Sequence, residues 1–169
     1  ILQWDAHMDC RVSYFGFYYS HASIATHYAN IDSVSSITQV GIRDYDQSEV
    51  DFQSSSPTAF HVFKDYDLHK RLFEGESWAI VCSDIVRSLP ESVFISVDVD
   101  GLAQYLCPGT GTPVPGGLNF NQIVYLLEQI SNNRAVIGAE LVEVHNLAEN
   151  DWDANVGARL LNLLTGCFL

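Results

Sequence analysis

The stretch "SVFISVDVDG", Ser92–Gly101, decides the reading of the fold. Its first half is apolar and β-branched at successive positions, without clean alternation. That is the pattern of a strand covered on both faces, as in the parallel sheets of α/β proteins. The strand then runs into Asp98 and Asp100. Two like charges at the end of a buried strand are costly unless something cationic pairs with them. The chain is poor in cations, with 8 Lys plus Arg against 21 Asp plus Glu and a formal net charge of -13. A bound divalent metal is the natural counter-charge.

Similar runs recur on either side. "SSITQVGI" (Ser35–Ile42), "TAFHVF" (Thr58–Phe63), "AVIGAELVEV" (Ala135–Val144) and the opening Ile1–Trp4 all read as strands. Segments with helical spacing lie between and after them: "SWAIVCSDIVRSL" (Ser77–Leu89), "NFNQIVYLLEQISN" with an Asn119 cap, and "NVGARLLNLLTGCF" (Asn155–Phe168). The Ser-rich "QSEVDFQSSSP" (Gln47–Pro57) is expected to be a loop. Strands alternating with helices predict an α/β protein with a mostly parallel sheet, and ligands at the carboxyl ends of its strands.

A length of 169 residues is one domain's worth, and 47% apolar residues describe a globular chain. The acidic balance argues against nucleic-acid and membrane-surface binding, which need basic patches. No apolar run is long enough to predict a transmembrane helix. Cys10, Cys82, Cys107 and Cys167 are scattered, as in a reduced, cytoplasmic protein. The chain opens without Met or a basic leader, and is expected to be a piece of something longer.

The first strand ends in "DAHMD", Asp5–Asp9. In an extended or loosely turning segment Asp5, His7 and Asp9 point the same way. Two carboxylates and an imidazole suit Mn²⁺, Fe²⁺, Co²⁺ or Zn²⁺ better than Ca²⁺. Taken alone, the segment is equally compatible with a solvated turn. Asp98 and Asp100 at a second strand end change the balance. Five potential ligands exceed one tetrahedral site and fit two metals sharing bridging carboxylates. "CPGTGTPVPGGLNF" (Cys107–Phe120) follows, rich in Pro and Gly, and reads as a constrained loop walling an active site.

Together these residues resemble the ureohydrolases, the group holding arginase, agmatinase, guanidino-acid hydrolases and formimidoylglutamase. The resemblance rests on Asp5-Ala6-His7-x-Asp9, Ser96-Val97-Asp98-Val99-Asp100-Gly101-Leu102, Pro108-Gly109-Thr110-Gly111-Thr112-Pro113 and Leu141-Val142-Glu143-Val144. It implies a three-layer α/β/α sandwich, two Mn²⁺ per subunit, a small guanidino or formimino substrate, and trimers or hexamers. It implies that Asp5 and Asp98 bridge the metals, that Asp9 completes the first site, and that His7 and Asp100 complete the second. Glu143 would hold the guanidinium or formimino group. His21 would shuttle protons, or else simply cap a nearby helix. Asp9 would steer and deprotonate the attacking water.

The sequence also departs from that pattern. The family's further His ligand comes from an upstream segment, so residues 1–169 are expected to be the C-terminal portion of one ureohydrolase catalytic domain, incomplete at the N-terminus. Ala103-Gln104 replaces the usual Asp-Pro, Glu140 a usual Asp, and His145-Asn146 follows Val144 where Pro is common. Arg11, two residues past Asp9, is expected to face the cavity. There it would pair with a substrate carboxylate, favouring formimidoylglutamate or a guanidino acid, or it is structural and tied to Asp44 or Asp46. "QVGIRDY" and "WDANVGARLL" look most like agmatinases, whose substrate tail is cationic. Agmatinase-type hydrolysis, releasing urea and an amine, comes first and formimidoylglutamase is the alternative. Two rivals are a non-catalytic ureohydrolase-like scaffold and a metal-dependent deacetylase on a related fold.

Overall fold

The computed structural model describes residues 1–145 and 151–167. Five parallel strands form one sheet in the order β3-β2-β1-β4-β5. They are β1 (Leu2–Trp4), β2 (Ser36–Ile42), β3 (Ala59–Lys64), β4 (Ser92–Asp98) and β5 (Ala135–Val142). The helices are α1 (Ile24–Ala29), α2 (Gln47–Ser55), α3 (Asp65–Phe73), α4 (Trp78–Ser88), α5 (Phe120–Asn133) and α6 (Trp152–Gly166). Short 3₁₀ turns at His21–Ser23 and Val99–Gly101 complete the regular structure.

The connections explain where the site lies. From β1 the chain steps outward through β2 and β3, with α1 and α2 as crossovers. It then returns through α3 and α4 to lay β4 on the other side of β1. Right-handed crossovers running in opposite directions place their helices on opposite faces. The packing agrees. Ala25 of α1 and Val50 and Phe52 of α2 pack with Met8, Cys10 and Ile42. Leu68, Val81, Ile85, Ile123, Leu126, Val156 and Leu160, from α3 to α6, pack with Leu2, Trp4, Val93, Ile95 and Val97. This is the expected α/β/α sandwich. Strand order reverses between β1 and β4, and in open α/β sheets ligands bind at such a crevice, outside the strands' carboxyl ends.

The five expected strands and the three expected helices are present, with boundaries shifted by a few residues. Asn119 caps α5, accepting from Gln122 N at 3.0 Å. Phe168 and Asn146 lie outside the described residues. One expectation fails: Gln47–Ser55 of the Ser-rich segment is helix, not loop. Asp46 caps it by accepting from Ser48 N at 2.8 Å, and Glu49 reaches back to Asp46 N at 3.0 Å. This reciprocal box satisfies amides that otherwise have no helical partner. Ser54 and Ser55 are accommodated by bonding back to the carbonyls of Val50 and Asp51. Among the described residues no helix is long and apolar enough to cross a membrane.

Candidate metal centre

Backbone pairing brings the two acidic strand ends together. Trp4 lies in register with Val40 on one side and Val97 on the other, so Asp5 and Asp98 emerge side by side. Gly101 permits the close approach: a Cβ there would run into the Trp4 indole and stand 2.8 Å from Asp5 N. Asp98 caps the turn that follows it, accepting from Asp100 N at 2.9 Å. Asp100 in turn accepts from Ala6 N at 3.0 Å, across 94 residues of sequence.

Asp5, His7 and Asp100 offer ligand atoms within 4.8 Å of one another. His7 Nδ1 lies 3.0 Å from Asp100 Oδ2 and 3.5 Å from Asp5 Oδ1. Asp9 follows with a left-handed backbone at φ 51°, so the "DAHMD" segment turns rather than running extended. Asp9 and Asp98 join the same cavity, of about 790 Å³, whose walls also carry Arg11, His21, Glu140 and Glu143.

The electrostatics are those of crowded carboxylates. Burial, reinforced by neighbouring Asp5, pushes Asp9 up to about 10 and Asp98 up to about 9. Asp5 is raised for the same first reason, burial, with Asp100 adding repulsion. Burial alone would lower His7, but its bonds to Asp100 and Asp5 carry it to about 11. Burial would raise Asp100, yet the His7 bond and Ala6 N hold it below its ordinary value. A divalent cation relieves this repulsion, and four carboxylate oxygens with one imidazole are a hard-to-borderline donor set. The residues present therefore fit divalent metals.

The remaining candidates occupy distinct places. Glu143 stands on the lip just past β5, with φ 60°, and a Cβ on Gly111 of the Pro/Gly loop would lie 3.4 Å from its carboxylate. His21 also lines the cavity and is exposed, its ring edge-on to Tyr14 at 5.5 Å. Ser20, not His21, caps the turn there. Arg11 lines the cavity, but its guanidinium lies 2.8 Å from Asp46, 3.8 Å from Glu49 and over the Tyr14 ring.

Three features went unread in the sequence. Arg43 donates to the carbonyls of Asp100 at 2.6 Å, Leu102 at 3.2 Å and Val114 at 3.0 Å. It thus ties the Asp98–Leu102 turn to the Pro/Gly loop. Glu140, read only as a replaced Asp, lines the cavity and accepts from Tyr28 Oη at 2.6 Å. Gln3 donates to Asp5 at 2.9 Å. Only the Gln within an otherwise apolar strand signalled the last of these.

The Arginase family model matches residues 1–166. The chain belongs to the arginase family. It is 34% identical over 162 residues to a Pyrococcus horikoshii protein named agmatinase, covering 96% of this chain and 53% of that one. It is 35% identical over 144 residues to a Thermus thermophilus protein named N(1)-aminopropylagmatine ureohydrolase, covering 85% and 45%. Agmatine ureohydrolase of Thermoplasma volcanium superposes with a TM-score of 0.79 at 26% identity, over 99% of this chain and 54% of that one. Arginase from Bacillus caldovelox gives 0.80 at 22% identity, over 98% and 59%, a likeness of fold. The chain spans about half the length of the curated relatives it matches.

Proposed function

We propose that the complete protein is a ureohydrolase of agmatinase type, hydrolysing a C–N bond of a guanidino substrate with a cationic tail and releasing urea and an amine. The observation that carries this reading is the convergence of Asp5, His7, Asp9, Asp98 and Asp100 on one cavity, with Glu143 on its lip. Two divalent metals, assigned as Mn²⁺, would be held by Asp5 and Asp98 together, with Asp9 on one side and His7 and Asp100 on the other. Metals bound there supply Lewis acidity that makes water nucleophilic near neutral pH.

The chain's own groups do the rest. Glu143 lines the cavity and forms a charge-assisted pair with the guanidinium, orienting its central carbon. Asp9 accepts the proton released by the attacking water, and His21 at the exposed rim passes a proton to the departing amine.

Support for a cationic tail comes from the charge of the walls. Asp44, Glu49, Glu140 and Glu143 line the cavity, and Arg11, its one arginine among the described residues, is paired with Asp46. An Arg11 held by Asp46 supports a cationic tail over a carboxylate. The test compares agmatine, arginine, 4-guanidinobutyrate and formimidoylglutamate on the Mn²⁺-loaded complete protein, detecting urea and formamide separately. Urea from agmatine, with Arg11→Ala leaving that efficiency within about threefold, supports the reading, because a paired surface charge contributes little. Preferential release of formamide from formimidoylglutamate, abolished in Arg11→Ala, would overturn it.

A further inference from the structure

Gln3 and Gln39 are odd residues for the middle of a parallel sheet. They are 1% and 0% exposed and lie directly opposite each other on β1 and β2. Burying an amide is unfavourable unless every donor and acceptor finds a partner. Here they do, in a chain with one direction. Gln53 of α2 donates to Gln39 Oε1 at 2.6 Å. Gln39 donates to Gln3 Oε1 at 2.9 Å and to the Met8 carbonyl at 2.6 Å. Gln3 donates to Asp5 Oδ2 at 2.9 Å and to Asp9 Oδ2 at 3.4 Å. A carboxylate bound to metal only accepts, so with metals in place the amide of Gln3 would be fixed with its nitrogen toward Asp5 and Asp9, as it lies here, and each amide behind it fixed in turn.

Register explains why the chain ends there. Side chains two residues apart on a strand share a face. Gln3 lies in register with Gln39 and Ser96, and Ser96 with Glu140, forming one polar row across four strands. Asp98 stands two residues further along β4 and Asp5 just past the end of β1, two residues beyond Gln3, toward the same face. The row is thus the floor beneath the metal-ligating carboxylates. Gln39 also holds the Met8 carbonyl, between His7 and Asp9, and so fixes the turn that aims both.

We infer that Gln3, backed by Gln39 and Gln53, is a positioning relay that presents Asp5 and Asp9 to the metals. It leaves one oxygen of each carboxylate outside the bonds to Gln3. This rests on the two-metal reading above. Hydrogen-bond partners behind metal ligands typically change metal affinity by about 10- to 100-fold when removed.

The experiment uses the complete protein stripped of metal. Mn²⁺ binding is measured by calorimetry and by paramagnetic resonance of free Mn²⁺, alongside the melting temperature of the metal-free form. Gln3→Met keeps length and removes both donors. We expect the dissociation constant of the site that includes Asp9 to rise about 10- to 100-fold. Gln39→Met leaves the Gln3 donors in place and should show a smaller rise in the same site. A merely structural role would lower the metal-free melting temperature and leave the dissociation constants of the folded protein unchanged. Wild-type affinity in Gln3→Met overturns the relay alone. If Gln3→Met does not fold, unchanged affinity in Gln39→Met overturns it. Wild-type protein that binds no Mn²⁺ overturns the metal reading and the relay with it.

Discussion

His7 Nδ1 lies 3.0 Å from Asp100 Oδ2, joining the loop after β1 to the turn after β4. Without metal, that contact and the one to Asp5 keep the imidazole protonated, carrying it to about 11. A metal ligand must be neutral imidazole, so the proton has to leave when metal binds. Mn²⁺ binding should therefore release protons at neutral pH. Calorimetry in two buffers of different ionisation enthalpy measures it: the apparent enthalpy should differ, and the affinity should rise with pH. Identical enthalpies in both buffers would show that His7 does not exchange a proton on binding.

Metal-free protein should lose stability as pH rises. Asp9 and Asp98 are raised from 3.8 to about 10 and about 9 in the folded state. Between those values the folded state binds more protons than the unfolded one, so raising pH favours unfolding. His7 acts in the same direction, since its raised value yields stability present below 6.5 and lost toward about 11. Thermal melts in chelator across that range should show a falling midpoint, and saturating Mn²⁺ should raise the midpoint most at high pH. A chelated protein whose midpoint climbs from acid to neutral pH would contradict the assignment.

Asp98→Asn should separate stability from binding. Above pH about 9, where Asp98 ionises in the folded metal-free protein, it removes a buried charge that Asp5 and Asp100 repel, so the metal-free melting temperature there should rise by a few degrees, about 1 kcal/mol for a domain of this size. The same change should abolish binding of both metals, while Asp100→Ala should mainly affect one. Elemental analysis of bound Mn²⁺ checks the second half.

Gly101→Ala tests the approach of the two strand ends. A Cβ at this position meets the Trp4 ring and Asp5 N. Overpacking of this kind costs about 1–3 kcal/mol. Urea unfolding should show that loss, and Mn²⁺ stoichiometry should fall because Asp5 and Asp98 are pushed apart. Wild-type stoichiometry with wild-type stability would mean that the backbone yields without cost.

How much of this was legible in the sequence varies with range. β4 and the Asn119-capped α5 could be read because their signals are local: an apolar run, a cap, a helical period. The acidic strand ends were legible because charge directly after an apolar strand is anomalous by itself. α2 was misread because serines dominated the composition, although Asp46 and Glu49, three apart, were a capping box in plain view. Gln39 and Arg43 escaped for a physical reason. Gln39 meets Gln3 and Met8 through strand register, 36 and 31 residues away, and Arg43 meets carbonyls 57 to 71 residues away, which no short window along the chain contains.

The split of the ligand set between Asp5–Asp9 and Asp98–Asp100 has a kinetic meaning. These residues meet only after β1 pairs with β4, a closure across most of the chain. Such long-range pairings are slow, because the loop entropy is lost before the contacts reward it. The five carboxylate and imidazole groups therefore come together only once that pairing is made. A cation held by both ligand segments would latch β1 and β4 once they are side by side, slowing their separation.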